Sequence, residues 1–275
     1  MINTAKMMML QALKDQTEKL PKLMIVLLSL LAFCDFEAQA TVQLTNGRCS
    51  FSLEEISPEQ ECCDSHKIKQ LIASLKTRVD ALESDKWRLV FKAVAGAGGD
   101  IFQLWNSNQA LNEENPQAKQ LNDNLKAHYK SSAVNNWTSQ NIRYVKVALY
   151  QAGIERLTLV FNAVGSDKMT WFTKDKLISS PYADIETASI SASGYYFSIR
   201  GDIRSYLARH FFINKSYNGC GNDVGWLSVI NRAGCPYEVF SSYPAFIFAP
   251  GHMAIRYTKE TLAHADVFAI FTATE

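Results

Sequence analysis

Trp87-Arg88-Leu89-Val90-Phe91-Lys92-Ala93 is the stretch on which the fold reading turns. An extended chain sends successive side chains to opposite faces. Trp87, Leu89, Phe91 and Ala93 therefore share one side, the pattern of a half-buried strand. The same reading carries downstream. Tyr144–Tyr150 and Arg156–Phe161 are predicted strands joined around Gly153 as a hairpin. Further strands are expected at Tyr195–Arg200, His210–Ile213, Trp226–Ile230, Ala245–Phe248 and Val267–Thr272. Gly165, Pro181, Gly194, Gly219, Pro244 and Pro250 punctuate the gaps. Two helical patches are expected, Ala118–Tyr129 with Leu121, Leu125 and Tyr129 on one side, and Thr173–Ser179 behind a cap-like Thr173. Short strands without regular helix alternation predict a mainly β head over 87–275, an antiparallel β-sandwich with one or two short helices.

Upstream of this head the period changes. Ile68, Ile72, Leu75, Val79 and Leu82 alternate spacings of four and three, the seam of a short coiled coil over 65–86. It runs for under three heptads, marginal for a helix alone in water. A single amphipathic helix lying on the head would show the same periodicity. Adjacent Cys62 and Cys63 favour a disulfide-locked oligomer neck, because a covalent link removes association entropy. Residues 41–64 read as a short, irregular, cysteine-containing leader.

Residues 1–40 have the composition of a targeting segment. Lys14, Lys19 and Lys22 precede the apolar run Leu23–Phe33, and Ala38-Gln39-Ala40 supplies a small-x-small cleavage pattern. That run falls short of the roughly 20 residues a membrane-crossing helix needs, so a cleaved signal peptide is the better reading than a retained anchor. A secreted protein with no membrane segment in its mature form is expected. Five cysteines then remain: Cys49, Cys62, Cys63, Cys220 and Cys235. Outside the cell these should be mostly bridged. Cys220 and Cys235 make a plausible local pair, Cys49 can take one of the vicinal cysteines, and the odd thiol points to a bond between chains.

Charge and motifs narrow the function. Removal of 1–40 takes four basic and four acidic residues and leaves the balance at +1. A near-neutral chain lacks the basic stripe that nucleic acid demands. There is no G-x-S-x-G elbow, H-E-x-x-H, P-loop or EF-hand loop. Gly96-Ala97-Gly98-Gly99 fits a hairpin or strand-to-helix turn better than a dinucleotide loop. The five histidines stand at no metal-ligand spacing, and no metal or cofactor is expected. Asn222-Asp223 and Asp100 offer too few oxygens for calcium and read as turns. Trp105, Trp137 and Tyr217 lie in polar, loop-like surroundings and are the candidate ligand contacts, since exposed rings stack on sugars. Packing is the competing role for each ring. Asn136-Trp137-Thr138 and Asn214-Lys215-Ser216 are glycosylation sequons.

The succession Trp87-Arg88-Leu89-Val90-Phe91, Trp105, Tyr129-Lys130-Ser131, Val145-Lys146-Val147-x-Leu149-Tyr150 and Trp171-Phe172 continues to Cys220-x-x-Asp223-x-Gly225-Trp226-Leu227 and Cys235-Pro236-x-Glu238. Over residues 85–273 it resembles a family of secreted marine-invertebrate domains that includes skeletal organic matrix proteins of corals. The resemblance implies a disulfide-containing extracellular glycoprotein with no catalytic residues to carry over. A looser likeness is to fibrinogen-related lectins, which join a coiled-coil neck to a sugar-binding head. This chain lacks the closely spaced aspartates of their calcium site.

The expected function is recognition or matrix assembly: a secreted homo-oligomer whose head loops bind a glycan, a protein or a matrix polymer, without enzymatic activity. The alternatives are an extracellular hydrolase using Asp184 or Glu186 with a histidine, and a purely structural matrix component.

Overall fold

The computed structural model describes residues 87–187, 196–203, 207–216 and 219–274, together with two short strands at 40–45 and 48–53. The neck at 65–86, Cys62, Cys63 and Tyr217 lie outside the described residues. The chain divides into two compact units, Met1–Ile68 and Lys69–Glu275. In the first, β1 (Ala40–Thr45) pairs antiparallel with β2 (Arg48–Leu53), which carries Cys49 in register with Leu44. This corrects the irregular leader expected there. The two strands flank Asn46-Gly47, the dipeptide most favoured in two-residue hairpin turns.

The second unit is mainly β, built from two antiparallel sheets. The first sheet contains β3 (Arg88–Val94), β4 (Tyr129–Lys130), β5 (Tyr144–Gln151), β6 (Ile154–Asn162), β7 (Leu177–Ser179) and β14 (Val267–Ala273). Its order is β4-β3-β14-β5-β6-β7, so the last strand of the chain is inserted between β3 and β5. The expected β5–β6 hairpin is present. Ala152 (φ 51°) and Gly153 (φ 75°) turn it, the left-handed pair that matches the twist of two-residue hairpins. The second sheet contains β8 (Tyr196–Ser198), β9 (Ala208–Ser216), β10 (Val224–Arg232), β11 (Ala245–Phe248) and β13 (Ala263–Ala265) in the order β13-β11-β10-β9-β8. The two-residue β12 (Ile255–Arg256) pairs with the start of β10.

The main core lies between the sheets. Phe91, Val147, Leu159 and Phe268 from the first share one buried cluster with Phe211, Ile213, Leu227 and Phe246 from the second. Both outer faces are covered as well. Val94, Ala148, Val267 and Ala269 pack under Leu121 and Ala97 on one side. Phe212, Ile230 and Ile247 pack under Tyr237 and Tyr257 on the other. Burial on both faces explains why all seven residues of β14 are buried and its sequence is an almost continuous apolar run.

Three local expectations need correction. The single face assigned to Trp87, Leu89, Phe91 and Ala93 is interrupted. Ile270 pairs with Phe91 but Phe271 pairs with Leu89, which leaves Val90 as a bulge. The extra residue shifts the phase: Trp87 and Leu89 pack on the outer cluster, whereas Val90, Phe91 and Ala93 join the inter-sheet core. The helix expected at Ala118–Tyr129 is a single tight turn, Gln117–Lys119, followed by irregular chain into β4. Lys92 is the cause on the sheet side: its buried ammonium takes Gln120 O at 2.8 Å and Asn122 O at 3.3 Å, carbonyls a helix would have used itself. The helix expected at Thr173–Ser179 is likewise one turn, Lys174–Lys176, that runs into β7. The α-helix among the described residues of the head is α1 (Ile101–Asn106), entered from the glycine turn at 96–99 and capped by Asp100, whose Oδ1 accepts from Gln103 N at 2.9 Å.

Candidate ligand pocket

The bulge at Val90 positions the site. By restoring alternation on its N-terminal side it turns Arg88 and Val90 toward the inter-sheet space. Thr272 is the cross-strand partner of Arg88 on β14. The segment Ser132–Gln140, two short tight-turn helices merged at a kink at Asn136, closes the other wall. Between them lies a hollow of about 160 Å³. Val90, Ala133, Val134, Trp137 and Ile142 give it an apolar floor, and Arg88, Gln140, Thr272 and Thr274 a polar rim. Of the residues lining it, Arg88 alone is charged.

Arg88 is held lightly. Its Nη2 reaches Ser131 Oγ at 3.5 Å, and it has no carboxylate within ion-pair distance among the described residues. The nearby Glu113 is engaged elsewhere: its Oε1 accepts from Ser131 Oγ, Ser132 N and Ser132 Oγ at 2.9–3.0 Å. Burial would raise this carboxyl, but these bonds and the Arg88 charge bring it below its ordinary range.

The candidate stacking rings are placed differently from the expectation. Trp105 is fully buried, edge-on to Phe91 at 5.4 Å and to Trp137 at 5.9 Å. Its Nε1 donates to Lys168 O at 3.0 Å. A Trp with its N–H satisfied gains more from burial than from exposure, and each such ring pair adds about 0.5–1.5 kcal/mol. Trp105 is therefore core, not a ligand contact. Trp137 is 4 % exposed and one face stacks on Trp171 at 6.1 Å; it contributes a pocket wall rather than an open stacking platform. Tyr217, the third candidate, lies outside the described residues.

Asn136 is exposed, consistent with an accessible sequon. Asn214 is not: its side chain is 0 % exposed, on β9 against the backbone of Gly225, so it has no room for a glycan in the folded head. Cys220 and Cys235 form the expected disulfide, with Cα atoms 5.4 Å apart.

The motif Cys220-x-x-Asp223 … Cys235-Pro236-x-Glu238 converges on a residue sequence reasoning did not select, Arg209 of β9. Its Nε donates to Glu238 Oε1 at 2.5 Å, its Nη1 lies 3.2 Å from Asp223 Oδ2, and its Nη2 lies 3.2 Å from Cys235 Sγ. Glu238 Oε2 in turn accepts from the Gly234 and Cys235 amides at 2.9 and 2.8 Å. Tyr237 donates its hydroxyl to Asp223 Oδ2. Burial drives the Asp223 carboxyl above its ordinary range against the pull of Tyr237 and Arg209. Asp223 is thus a buried ion-pair partner, and the turn reading given to Asn222-Asp223 is too simple. Gly225 is required beside it, because a Cβ there would lie 2.5 Å from Tyr257 Oη and 2.8 Å from Asn214 Cα.

Asp184, a carboxylate considered for hydrolysis, accepts from Trp226 Nε1 at 2.8 Å, Ala254 N at 3.1 Å and Lys215 Nζ at 3.3 Å. Burial opposes ionisation, and these donors outweigh it, holding the carboxyl below its ordinary range. Glu186 is exposed. Among the described residues no group of three or more His, Cys, Asp or Glu side chains is placed to hold a metal ion. No helix among them is long and apolar enough to cross a membrane. Comparison with protein-family models, with curated proteins and with solved structures returns no match to this chain.

Proposed function

We propose that the chain is a secreted, disulfide-linked oligomeric recognition or matrix protein whose head binds its ligand in the pocket at the end of the sandwich. The observation that carries this reading is the make-up of that pocket. One guanidinium, two hydroxyls and one carboxamide ring an apolar floor, with no carboxylate, histidine or thiol to move a proton or attack a bond. Such a lining holds a molecule; it has no acid–base pair with which to cleave one. The sequence features add the oligomer: the signal-like leader, the heptad seam at 65–86 and the odd cysteine count. Joining weak sites through a neck raises avidity by about 100-fold or more with no new contact. The resemblance to secreted skeletal-matrix domains points the same way.

Two measurements on secreted full-length chain test the reading. Non-reducing electrophoresis should show a multimer that collapses on reduction. Co-sedimentation with matrix polysaccharides should retain the chain, and monomerisation by reduction under native conditions should weaken retention. A chain that migrates as a monomer with or without reductant and binds no glycan, protein or matrix polymer ends the proposal.

A further inference from the structure

On the premise that the head recognises rather than cleaves, we propose that the pocket takes a six-membered sugar ring carrying a carboxylate, a residue of the uronate class. Four observations define the ligand. The lining holds a single positive charge and no negative one, which favours an anion; the nearby carboxylate, Glu113, lies outside the lining and is taken up by Ser131 and Ser132. Arg88 presents a planar fork of N–H donors suited to a carboxylate. Its one hydrogen bond among the described residues is the 3.5 Å approach to Ser131 Oγ, and the Glu113 carboxylate that feels its charge is bonded to those two serines instead.

The second observation is the unused hydrogen-bonding capacity around the hollow. Thr272 is buried and Gln140 half-buried, and neither the hydroxyl nor the carboxamide has a hydrogen-bond partner among the described residues. Neither is among the sealed-in polar atoms that lack a partner, so both polar ends are open to the hollow. Both can donate and accept, which fits ring hydroxyls and is more than a bare carboxylate needs. Third, the floor of Val90, Val134, Trp137 and Ile142 is apolar. That suits the C–H face of a pyranose, whereas sulfate or phosphate has no such face to offer it. Fourth is size. A hollow of about 160 Å³ compares with the roughly 150 Å³ that accommodates a benzene ring. One six-membered ring fits, with its substituents at the open rim and the remainder of a polymer outside.

The geometry therefore separates roles: Arg88 reads the carboxylate, Thr272 and Gln140 read hydroxyls, and Trp137 with its aliphatic neighbours seats the ring. Titration calorimetry or ligand-observed NMR on the secreted full-length chain tests this with four probes: methyl glucuronoside, methyl glucoside, benzoate and sulfate. The glucuronoside should bind at least tenfold better than the neutral glucoside and better than benzoate or sulfate. Arg88→Gln, at an exposed strand start, should abolish that preference with a loss of about 10- to 100-fold, the usual worth of a charge-assisted bond. Thr272→Val should weaken the glucuronoside about 3- to 10-fold while leaving benzoate unchanged.

Equal binding of the two glycosides overturns the proposal, as does glucuronoside binding insensitive to Arg88→Gln in a variant whose unfolding curve is unchanged. Stronger binding of benzoate or sulfate overturns the sugar assignment. If the chain is retained by a polysaccharide and Arg88→Gln leaves that retention intact, the pocket assignment fails and the recognition reading stands. If nothing is retained, both fail.

Discussion

Arg209 and Glu238, separated by 29 residues in the chain, meet at 2.5 Å with both side chains at most 1 % exposed. Around them sit Asp223, Tyr237 and the Cys220–Cys235 disulfide, so one guanidinium organises the outer layer of the second sheet. Removing one partner of such a pair strands the other charge in the protein, at a cost of about 3–5 kcal/mol. Glu238→Gln should lower unfolding free energy by about that amount in a denaturant titration. Arg209→Met leaves two buried carboxylates without their counter-ion, and the Asp223 carboxyl, already raised by burial, loses the charge that pulls it down. Its deficit should therefore shrink as pH falls from 7 toward 4, while that of Glu238→Gln should not. Parallel pH profiles for the two variants would refute the pairing.

The disulfide closes a loop with a sequence separation of 15, and loop-closure arithmetic assigns about 3 kcal/mol to a loop of that length. Cys220→Ser/Cys235→Ser should fall in midpoint accordingly. Native-state reduction should also be slow. Cys235 is 5 % exposed and its sulfur lies 3.8 Å from Asp223 Oδ2, so a thiolate formed there would meet a carboxylate. Alkylation after mild reductant, read by mass spectrometry, should reach the half-exposed Cys220 first and Cys235 only once denaturant is added. Ready alkylation of Cys235 in buffer would contradict its burial.

How much of this was legible in the sequence differs by interaction range. Strands such as Ala245–Phe248 and the β5–β6 hairpin follow from local alternation and turn residues, and they stand as read. The bulge at Val90 left no local mark, because Leu89, Val90 and Phe91 are apolar in either phase. It is fixed by pairing with β14, nearly 180 residues away in the chain. Trp105 looked exposed because its neighbours are polar, yet Trp105 and Trp171 both donate to Lys168 O, a partner no local pattern discloses. The Cys-Asp … Cys-Glu motif was visible; Arg209, which gives it a purpose, was not. The pocket escaped for the same reason: Arg88 and Thr272 are neighbours only through sheet register.

His128 links the outer layer of the first sheet to the glycine turn. Its Nδ1 accepts from Val94 N at 3.1 Å, so Nε2 carries the proton toward Gly98 O at 2.8 Å. Burial, aided by the Lys92 charge, lowers its pKa below 6.5. The unfolded chain then binds a proton first as pH drops, and stability present above about 6.5 is lost as pH falls through the folded value. His264, lowered by burial, adds to the same window. Midpoints measured from pH 7.5 to 5 should decline, and His128→Gln should reduce the slope. An unchanged slope would show that His128 does not titrate differently in the two states.

The two sequons should separate cleanly on expression through a secretory pathway. Asn136 is exposed at the kink of the segment that walls the pocket, and its Nδ2 makes only a 3.5 Å contact with Ser132 O. A glycan there costs no packing. Asn214 is 0 % exposed, and any chain glycosylated at that position must displace the backbone around Gly225 to fold. The folded, secreted fraction should therefore carry a glycan at Asn136 and none at Asn214. Asn136→Gln should remove the glycosidase-sensitive mass shift, with unfolding free energy changed by no more than about 0.5 kcal/mol, as for surface positions generally. Asn214→Gln should leave the shift in place and lower secretion, since a longer side chain overfills a site with no free volume. Glycan found on Asn214 in well-folded secreted protein would mean that β9 and β10 do not pack as described.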